Sequence, residues 1–169
     1  MFVNEDTWTS PRATPFFLRA GYHANRQVEV DGSVPATHPA YELLKRLGGL
    51  RIGVGTDETM LEEVRNDIDF MCADRYGHID EWERILGTRL VGIAETHHHH
   101  GLLYLSEDER FFSLSGMHDA MGFEGTGFCT AMDNLLFSQS MPMIRPDQTA
   151  VRWYGIEYRH GDNGLYNYA

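Results

Sequence analysis

The sequence predicts an α+β fold, a single domain in which a mainly antiparallel sheet is flanked by helices. Two short apolar runs, residues 102–105 and 111–114, are joined by the polar segment 106–110, which has the length and composition of a β-hairpin turn. Segments with helical spacing precede and follow this region, and they do not alternate with strands as in a βαβ protein. A chain of 169 residues has about the length of one domain.

Two helices are predicted in the first third of the chain. Ser10 is the expected N-cap and Pro11 the first residue of the first helix, which ends at Gly21 in the left-handed conformation. The second helix begins at Pro39 and ends at the pair Gly48-Gly49, where positive φ angles let the chain reverse tightly. Its apolar face holds Tyr41, Leu43, Leu44 and Leu47.

Short strands are predicted around these helices. Apolar residues alternate over 28–30, again over 50–54 and a third time over 68–70, which is the pattern of half-buried strands. Between the last two segments, three apolar residues share one face of a predicted short helix: Met60, Leu61 and Val64.

The second half of the chain predicts two further helices and the hairpin. A helix over 80–86 ends at Gly87, and the apolar run 90–93 predicts the strand before the hairpin. The glycines of segment 122–127 predict a flexible lead into the last helix, which begins near Thr126. The apolar face of that helix holds Phe128, Ala131, Met132, Leu135 and Leu136. A late strand is expected within residues 148–158.

Composition excludes several classes of protein. The longest apolar runs are only a few residues, so no membrane span is expected, and the first ten residues lack the pattern of a secretory signal. Cys72 and Cys129 are too few for a disulfide framework or a cysteine zinc site, which favours free thiols in a reducing cytosol. The formal net charge of -11 disfavours nucleic-acid binding, because phosphate contacts need a basic footprint.

The acidic residues concentrate in one stretch of the chain. Between residues 57 and 83 only Arg65 and Arg75 oppose ten carboxylates. A concentrated acidic surface accelerates association with a basic partner, whereas the alternative interpretation is a solvated face that only maintains solubility. The ten carboxylates are those of Asp57, Glu58, Glu62, Glu63, Asp67, Asp69, Asp74, Asp80, Glu81 and Glu83.

Five short motifs, taken in order, resemble the third subgroup of the SUKH superfamily of bacterial immunity proteins. They are Ala20-Gly21-Tyr22 with Arg26 and Val28, the helix Tyr41–Leu50 ending in Gly-Gly-Leu, the strand Leu86-Gly87 with Leu90–Glu95, the hairpin Leu102–Phe112, and the helix Gly125–Leu136. The resemblance covers about residues 17–138. It implies a SUKH-like domain over residues 1–140, with residues 141–169 as a C-terminal extension that packs on the same domain.

The resemblance implies a function in binding and not in catalysis. Immunity proteins of this superfamily neutralise toxins delivered by neighbouring bacteria, and many of these toxins are nucleases with a basic cleft. The implied partner is therefore a cognate, basic toxin protein in the cytoplasm, with no cofactor, nucleic acid or membrane involved. The expected partner-binding residues are Asp57, Glu58, Glu62, Glu63, Asp67, Asp69, Asp80, Glu81, Glu83, and, at the hairpin tip, Glu107, Asp108 and Glu109. The expected structural residues are Gly21, Leu44, Leu47, Gly48, Gly49 and Leu135.

The run of four histidines is the candidate for metal chemistry. His97, His98, His99 and His100 would alternate faces in an extended chain, so at most two share a side, and zinc would need further ligands such as His118 or Glu95. A polar loop between two strands is the preferred interpretation. Alternatives to toxin binding are an intracellular scaffold or regulator with the same fold, and a metal-dependent enzyme built on the histidine run.

A serine hydrolase is disfavoured. The residue types of a catalytic triad occur together at Ser113, Ser115, His118 and Asp119. However, no Gly-x-Ser-x-Gly elbow frames either serine, and hydroxyls at alternating positions are typical of one face of a strand.

Overall fold

A computed structural model describes residues 8–118 and 120–168 and has the predicted α+β fold. Within these residues the helices are α1 Thr14–Arg19, α2 Pro39–Leu47, α3 Ile79–Leu86 and α4 Phe128–Phe137. The first seven strands are β1 Arg51–Ile52, β2 Ile68–Ala73, β3 Leu90–Thr96, β4 Gly101–Ser106, β5 Arg110–Ser115, β6 Ala120–Thr126 and β7 Met141–Met143. They form one antiparallel sheet in chain order, and β8 Ala150–Trp153 pairs with β9 Ile156–Arg159 in a separate hairpin.

The sheet is buried on both faces. Leu103 and Leu105 of β4 belong to a large core with α1, α2 and α4, whereas Tyr104 between them belongs to a second core around Trp82 of α3. Because helices or the C-terminal segment cover both faces, the central strands read as continuous apolar runs and not as alternating ones. The predicted strands at 90–93, 102–105 and 111–114 are confirmed.

The chain reverses tightly at the end of α2, as predicted. Gly49 has a φ of 82°, but Gly48 has a negative φ of -49° and is required for another reason. A Cβ atom on Gly48 would lie 2.7 Å from the carbonyl oxygen of Leu44. The guanidinium of Arg26 donates hydrogen bonds to the carbonyl oxygens of Arg46, at 2.8 Å, and Gly48, at 2.7 Å, and so satisfies acceptors that the helix end leaves unpaired.

The other residues to which the sequence assigned a structural role lie in the core or next to the end of a helix. Leu44 is 3% exposed, Leu47 is fully buried and Leu135 is 4% exposed, all in the large core. Gly21 has a φ of 95° directly after the last turn of α1. Gly87 likewise ends α3 in the left-handed conformation.

In the first third of the chain, two predictions are wrong and a third is confirmed only in part. Helix α1 begins at Thr14 and not at Pro11, because residues 11–13 form a separate turn in which the Ala13 N–H bonds to Ser10. Residues 28–30 are not a strand, since the Val28 N–H donates to the carbonyl oxygen of Lys45 at the end of α2. The predicted strand 50–54 is reduced to β1, with an isolated bridge between Val54 and Met60.

Two further segments differ from their predictions. Residues 60–64 form no helix, because the Leu61 N–H bonds to the carbonyl oxygen of Gly53 across the loop. Segment 122–127 is not a flexible lead but mostly strand β6. A Cβ atom on Gly122 would lie 2.7 Å from the ring of Trp153, so this glycine allows close packing of β8 against the sheet.

The C-terminal residues complete the second face of the sheet. Strand β7 pairs with β6, and the ring of Tyr166 stacks on Phe123 with 3.9 Å between ring centroids. Tyr168 contacts Trp82 edge to face at 6.0 Å. Two strands, β8 and β9, occupy the region in which one late strand is expected.

Candidate functional site

The acidic stretch 57–83 is divided between the two ends of strand β3. Residues up to Asp69 adjoin the end of β3 at Thr96, which pairs with Ile68 of β2. Helix α3 adjoins the beginning of β3 at Leu90, which pairs with Ser106 next to the hairpin turn. Because a strand rises ~3.3 Å per residue, the two acidic groups are separated by roughly 20 Å and do not form one surface.

The first group, which we call the acidic β1–β2 surface, consists of Asp57, Glu58, Glu62, Glu63, Asp69 and Glu95. The first four side chains are exposed on the connection between β1 and β2, and Asp69 pairs in register with Glu95 of β3. Arg51 makes ion pairs with Glu58 at 2.8 Å and Asp69 at 3.7 Å.

Negative charge is in excess on this surface. No ion pair within the described part of the chain reaches Glu62 or Glu63. Partial burial raises the pKa of Asp69 despite the nearby Arg51 guanidinium. Hydrogen bonds from Thr59 lower the pKa of Asp57, which keeps that exposed carboxylate ionised. Of the six carboxylates, Arg51 pairs with those of Glu58 and Asp69 and His99 pairs with that of Glu95, whereas no ion pair among the described residues reaches Asp57, Glu62 or Glu63.

Asp67 was expected on the surface, and that placement is wrong. The residue is only 7% exposed, and its Oδ1 accepts a hydrogen bond from the His98 backbone N–H at 2.9 Å. Beside it, Oδ1 of Asn66 accepts from the His97 backbone N–H at 2.8 Å. Both side chains satisfy backbone donors of the turn between β3 and β4, so Asp67 has a structural role.

The second acidic group, which we call the α3–hairpin group, has four of its six carboxylates paired with arginines. It consists of Asp80, Glu81, Glu83, Glu107, Asp108 and Glu109. Arg75 pairs with Asp80 and, at 2.8 Å, with Glu83. Burial raises the pKa of Glu83, but hydrogen bonds from Arg75 and from the Leu90 N–H outweigh it and lower the pKa overall. These carboxylates therefore stabilise the junction between α3 and β3.

The remaining carboxylates of the α3–hairpin group also interact with other residues of the protein. Glu81 lies 3.5 Å from Arg145, and Asp108 lies 2.8 Å from Arg110. Glu107 accepts a hydrogen bond from the Arg89 backbone N–H at 3.4 Å. Glu109 is half-buried with a φ of 60° in the hairpin turn. The two acidic groups therefore differ in how far their charge is compensated.

The four histidines form a turn and not an extended segment. His97, His98 and His99 have φ angles of 52°, 52° and 66°, and all four side chains are exposed. A hydrogen bond with Glu95 raises the pKa of His99. The polar loop between strands is confirmed. Nowhere in residues 8–118 and 120–168 are three or more His, Cys, Asp or Glu side chains grouped so as to hold a metal ion.

A cavity of about 260 Å³ lies beside this turn. Ser113 and Ser115 both line it, which confirms that the two hydroxyls share one face of a strand. His118 lines it as well, whereas Asp119 lies outside the described residues. The cavity also contains a residue that the sequence did not predict, Glu124, which is 2% exposed.

The position of Glu124 arises from a β-bulge. In the pairing of β5 with β6, Phe112 lies opposite Phe123 and Phe111 lies opposite Gly125, so Glu124 is the extra residue. Bulges redirect a side chain, and they are over-represented next to functional sites. Burial raises the pKa of Glu124 to about 7, although the hydroxyls of Ser113 and Ser140 lower it. A glutamate between glycines in an apolar strand is the signal that could have identified it.

The antiparallel sheet and its flanking helices define an α+β protein, and a family match places it in the class of bacterial immunity proteins. The chain belongs to the SUKH-3 immunity protein family, whose family model, described as SUKH-3 immunity protein, matches residues 20–137. The resemblance found in the motifs is thereby confirmed. Neither a curated protein nor a solved structure matches the chain.

Family membership supports an immunity role and a toxin protein as the partner. Among the helices that the structure describes, the longest has 10 residues, and none has the length and apolar character of a membrane span.

Proposed function

We propose that this protein binds a cognate toxin in the bacterial cytoplasm and neutralises it by steric and electrostatic occlusion. The toxin is a nuclease or another domain with a basic surface, and the immunity protein makes and breaks no covalent bonds. Membership of the SUKH-3 family supports the immunity role. The observation that carries the electrostatic part is the excess of carboxylates on the acidic β1–β2 surface.

The two acidic groups are not equivalent candidates for this contact. Four carboxylates of the α3–hairpin group pair with Arg75, Arg110 or Arg145, so these arginines compensate much of the negative charge of that group. Glu62 and Glu63 are exposed and have no such partners within the described chain. Uncompensated charge acts over the Debye length, ~10 Å at 0.1 M salt, and accelerates encounter with a basic surface.

Occlusion needs no catalytic group on the immunity protein. A nuclease holds phosphates in a basic cleft, and carboxylates that stand where phosphates bind block the substrate. Long-range attraction sets the association rate, whereas close packing after encounter sets the dissociation rate. We therefore propose that five residues of the acidic β1–β2 surface make the first contact with the toxin, and we call them the encounter surface: Asp57, Glu58, Glu62, Glu63 and Asp69.

The test uses the product of the gene adjacent to this one, purified as an inactive variant. Association rates are measured by stopped-flow fluorescence between 25 and about 300 mM salt for the wild-type protein and for E62K/E63K. We expect the wild-type rate to fall steeply with salt, and we expect the double variant to associate about tenfold or more slowly at low salt.

Matched controls separate this surface from net charge. Glu29→Lys makes a charge reversal at an exposed site outside both acidic groups, and Glu107→Lys makes one at the hairpin tip. Combined in E29K/E107K, they change the net charge by the same amount as E62K/E63K, and this variant should associate within about twofold of wild type. A salt-independent wild-type rate would contradict the electrostatic mechanism, and equal losses in E29K/E107K would assign the effect to net charge. Absence of any complex would contradict the choice of partner.

A further inference from the structure

The cavity beside the histidine turn combines a buried polar interior with an exposed rim that holds two large apolar residues and three histidines, His97, His100 and His118. Its interior includes Glu124, 2% exposed, and Trp153, 6% exposed. Its rim includes Met117 and Tyr154, whose exposed fractions are 64% and 57%. Large apolar side chains at such exposure beside a concave site are typical of contact surfaces for another molecule.

Two polar atoms in this interior have no hydrogen-bond partner among the described residues. They are Oε2 of Glu124 and Nε1 of Trp153. The other carboxyl oxygen of Glu124 accepts a hydrogen bond from the Ser113 hydroxyl. A buried polar atom without a partner costs free energy, and a carboxylate in this position is stabilised most by a cationic N–H donor.

The size and the lining of the cavity restrict what this donor is. A volume of about 260 Å³ is smaller than the ~300–1,000 Å³ of pockets that enclose drug-sized ligands, and it suits one long side chain. A metal ion is disfavoured, because no group of three or more suitable ligands exists in the described part of the chain. A long basic side chain matches the carboxyl group inside and the two apolar residues of the rim, Met117 and Tyr154.

We propose that the cavity receives one lysine or arginine side chain of the toxin, whose charged nitrogen donates to Oε2 of Glu124 while its aliphatic part lies between Met117 and Tyr154. This inference rests on the proposed function and names the contact that follows electrostatic encounter. The cavity adjoins the encounter surface through Asn66, which lines it and lies three residues after Glu63 and three residues before Asp69 in the chain. A basic surface attracted to those carboxylates would present lysines and arginines at its mouth.

The first experiment tests the cavity without any toxin. N-acetyl-arginine amide and N-acetyl-lysine amide are titrated into ¹⁵N-labelled protein at pH 8, where ordinary histidines are neutral, and N-acetyl-norleucine amide is the uncharged control. The indole N–H resonance of Trp153, assigned with Trp153→Phe, reports on the cavity. We expect the basic probes to shift this resonance saturably, the norleucine probe not to do so, and E124Q to reduce probe affinity at least fivefold.

The second experiment tests the same residues in the complex with the toxin. E124Q preserves the shape of the side chain, and Tyr154→Ala changes an exposed rim residue that is not part of the core. We expect both variants to dissociate at least tenfold faster from the toxin while their association rates stay within twofold of wild type. Unfolding curves of both variants confirm that they are folded.

The outcomes separate this inference from the proposed function. A toxin complex that forms normally with both variants would overturn the cavity contact and leave toxin neutralisation intact. Probe binding in the absence of any toxin complex would support the cation site and contradict the proposed partner. Equal shifts with the norleucine probe, or unchanged binding by E124Q, would overturn the role of Glu124.

Discussion

The hydroxyl of Ser113 donates a hydrogen bond to the carboxyl group of Glu124, and both side chains line the cavity beside the histidine turn. The contact joins adjacent strands β5 and β6 at the point where a bulge turns Glu124 inward. It places a titratable group in the interior of a protein whose other carboxylates lie mostly at the surface. Glu124 should therefore contribute to the pH dependence of the stability of the fold.

The contribution of Glu124 to stability should fall as pH rises from about 4.5 to about 7. Burial raises the pKa of Glu124 from 4.5 to about 7, so the folded protein binds this proton more tightly than the unfolded chain does. The resulting stabilisation is complete below pH 4.5 and is lost as pH rises through 7. A shift of this size corresponds to about 3 kcal/mol.

Urea denaturation of wild type and E124Q across pH 4.5–8 measures this contribution. E124Q cannot ionise, so it should be more stable than wild type at pH 8, and the difference should shrink toward pH 4.5. Taking the difference between the two proteins at each pH removes the contributions that both proteins share. Parallel pH profiles would contradict the buried titration of Glu124.

Asp67 should matter for stability and Glu62 should not. Replacing Asp67 by Ala leaves the His98 backbone N–H without its acceptor in a turn whose residues have positive φ angles. The expected loss is about 1–3 kcal/mol in the free energy of unfolding. Glu62→Ala removes an exposed carboxylate and should change stability by less than ~0.5 kcal/mol. Chemical denaturation measures both, and equal effects would contradict the structural role of Asp67.

The glycines that end α2 should resist substitution for two different reasons. Gly49→Val forces a branched side chain into a φ of 82°, at a cost of about 1–2 kcal/mol or more. Gly48→Ala brings Cβ to within 2.7 Å of the Leu44 carbonyl oxygen, an overpacking that costs about 1–3 kcal/mol. Gly32→Ala is the matched control, since nothing lies within 4 Å of its Cβ position. A comparable loss in this control would refute the positional explanation.

Arg26→Lys should destabilise the protein although the charge is retained. An ammonium group does not reproduce the fork with which the guanidinium reaches the carbonyl oxygens of both Arg46 and Gly48. Losing one of these bonds should cost about 1–3 kcal/mol. Arg84→Lys, on the exposed side of α3, should be within ~0.5 kcal/mol of wild type in the same thermal melts. Equal melting temperatures for wild type and R26K would contradict a capping role.

Local pattern predicted the elements whose partners lie nearby in the chain. Helices α2, α3 and α4 have apolar spacing and glycine or proline signals at their ends, and the β4–β5 hairpin has a short polar turn. Strand β6 was not predicted, because Gly122 within it is explained by the approach of Trp153, about thirty residues further along the chain. The mistaken helix at 60–64 has the same origin, since Arg65 bonds its backbone to Leu136.

The candidate site depended even more on distant contacts. The amino-acid sequence by itself determined the α+β class, the acidic character and the family, because composition, periodicity and motif order are local properties of the chain. Only the tertiary structure decided that the acids of 57–83 separate to opposite ends of β3, that arginines neutralise one group, and that Asp67 is buried. Pairing register and a single bulged residue, Glu124, determine which side chains meet, and neither follows from the order of residues along one strand.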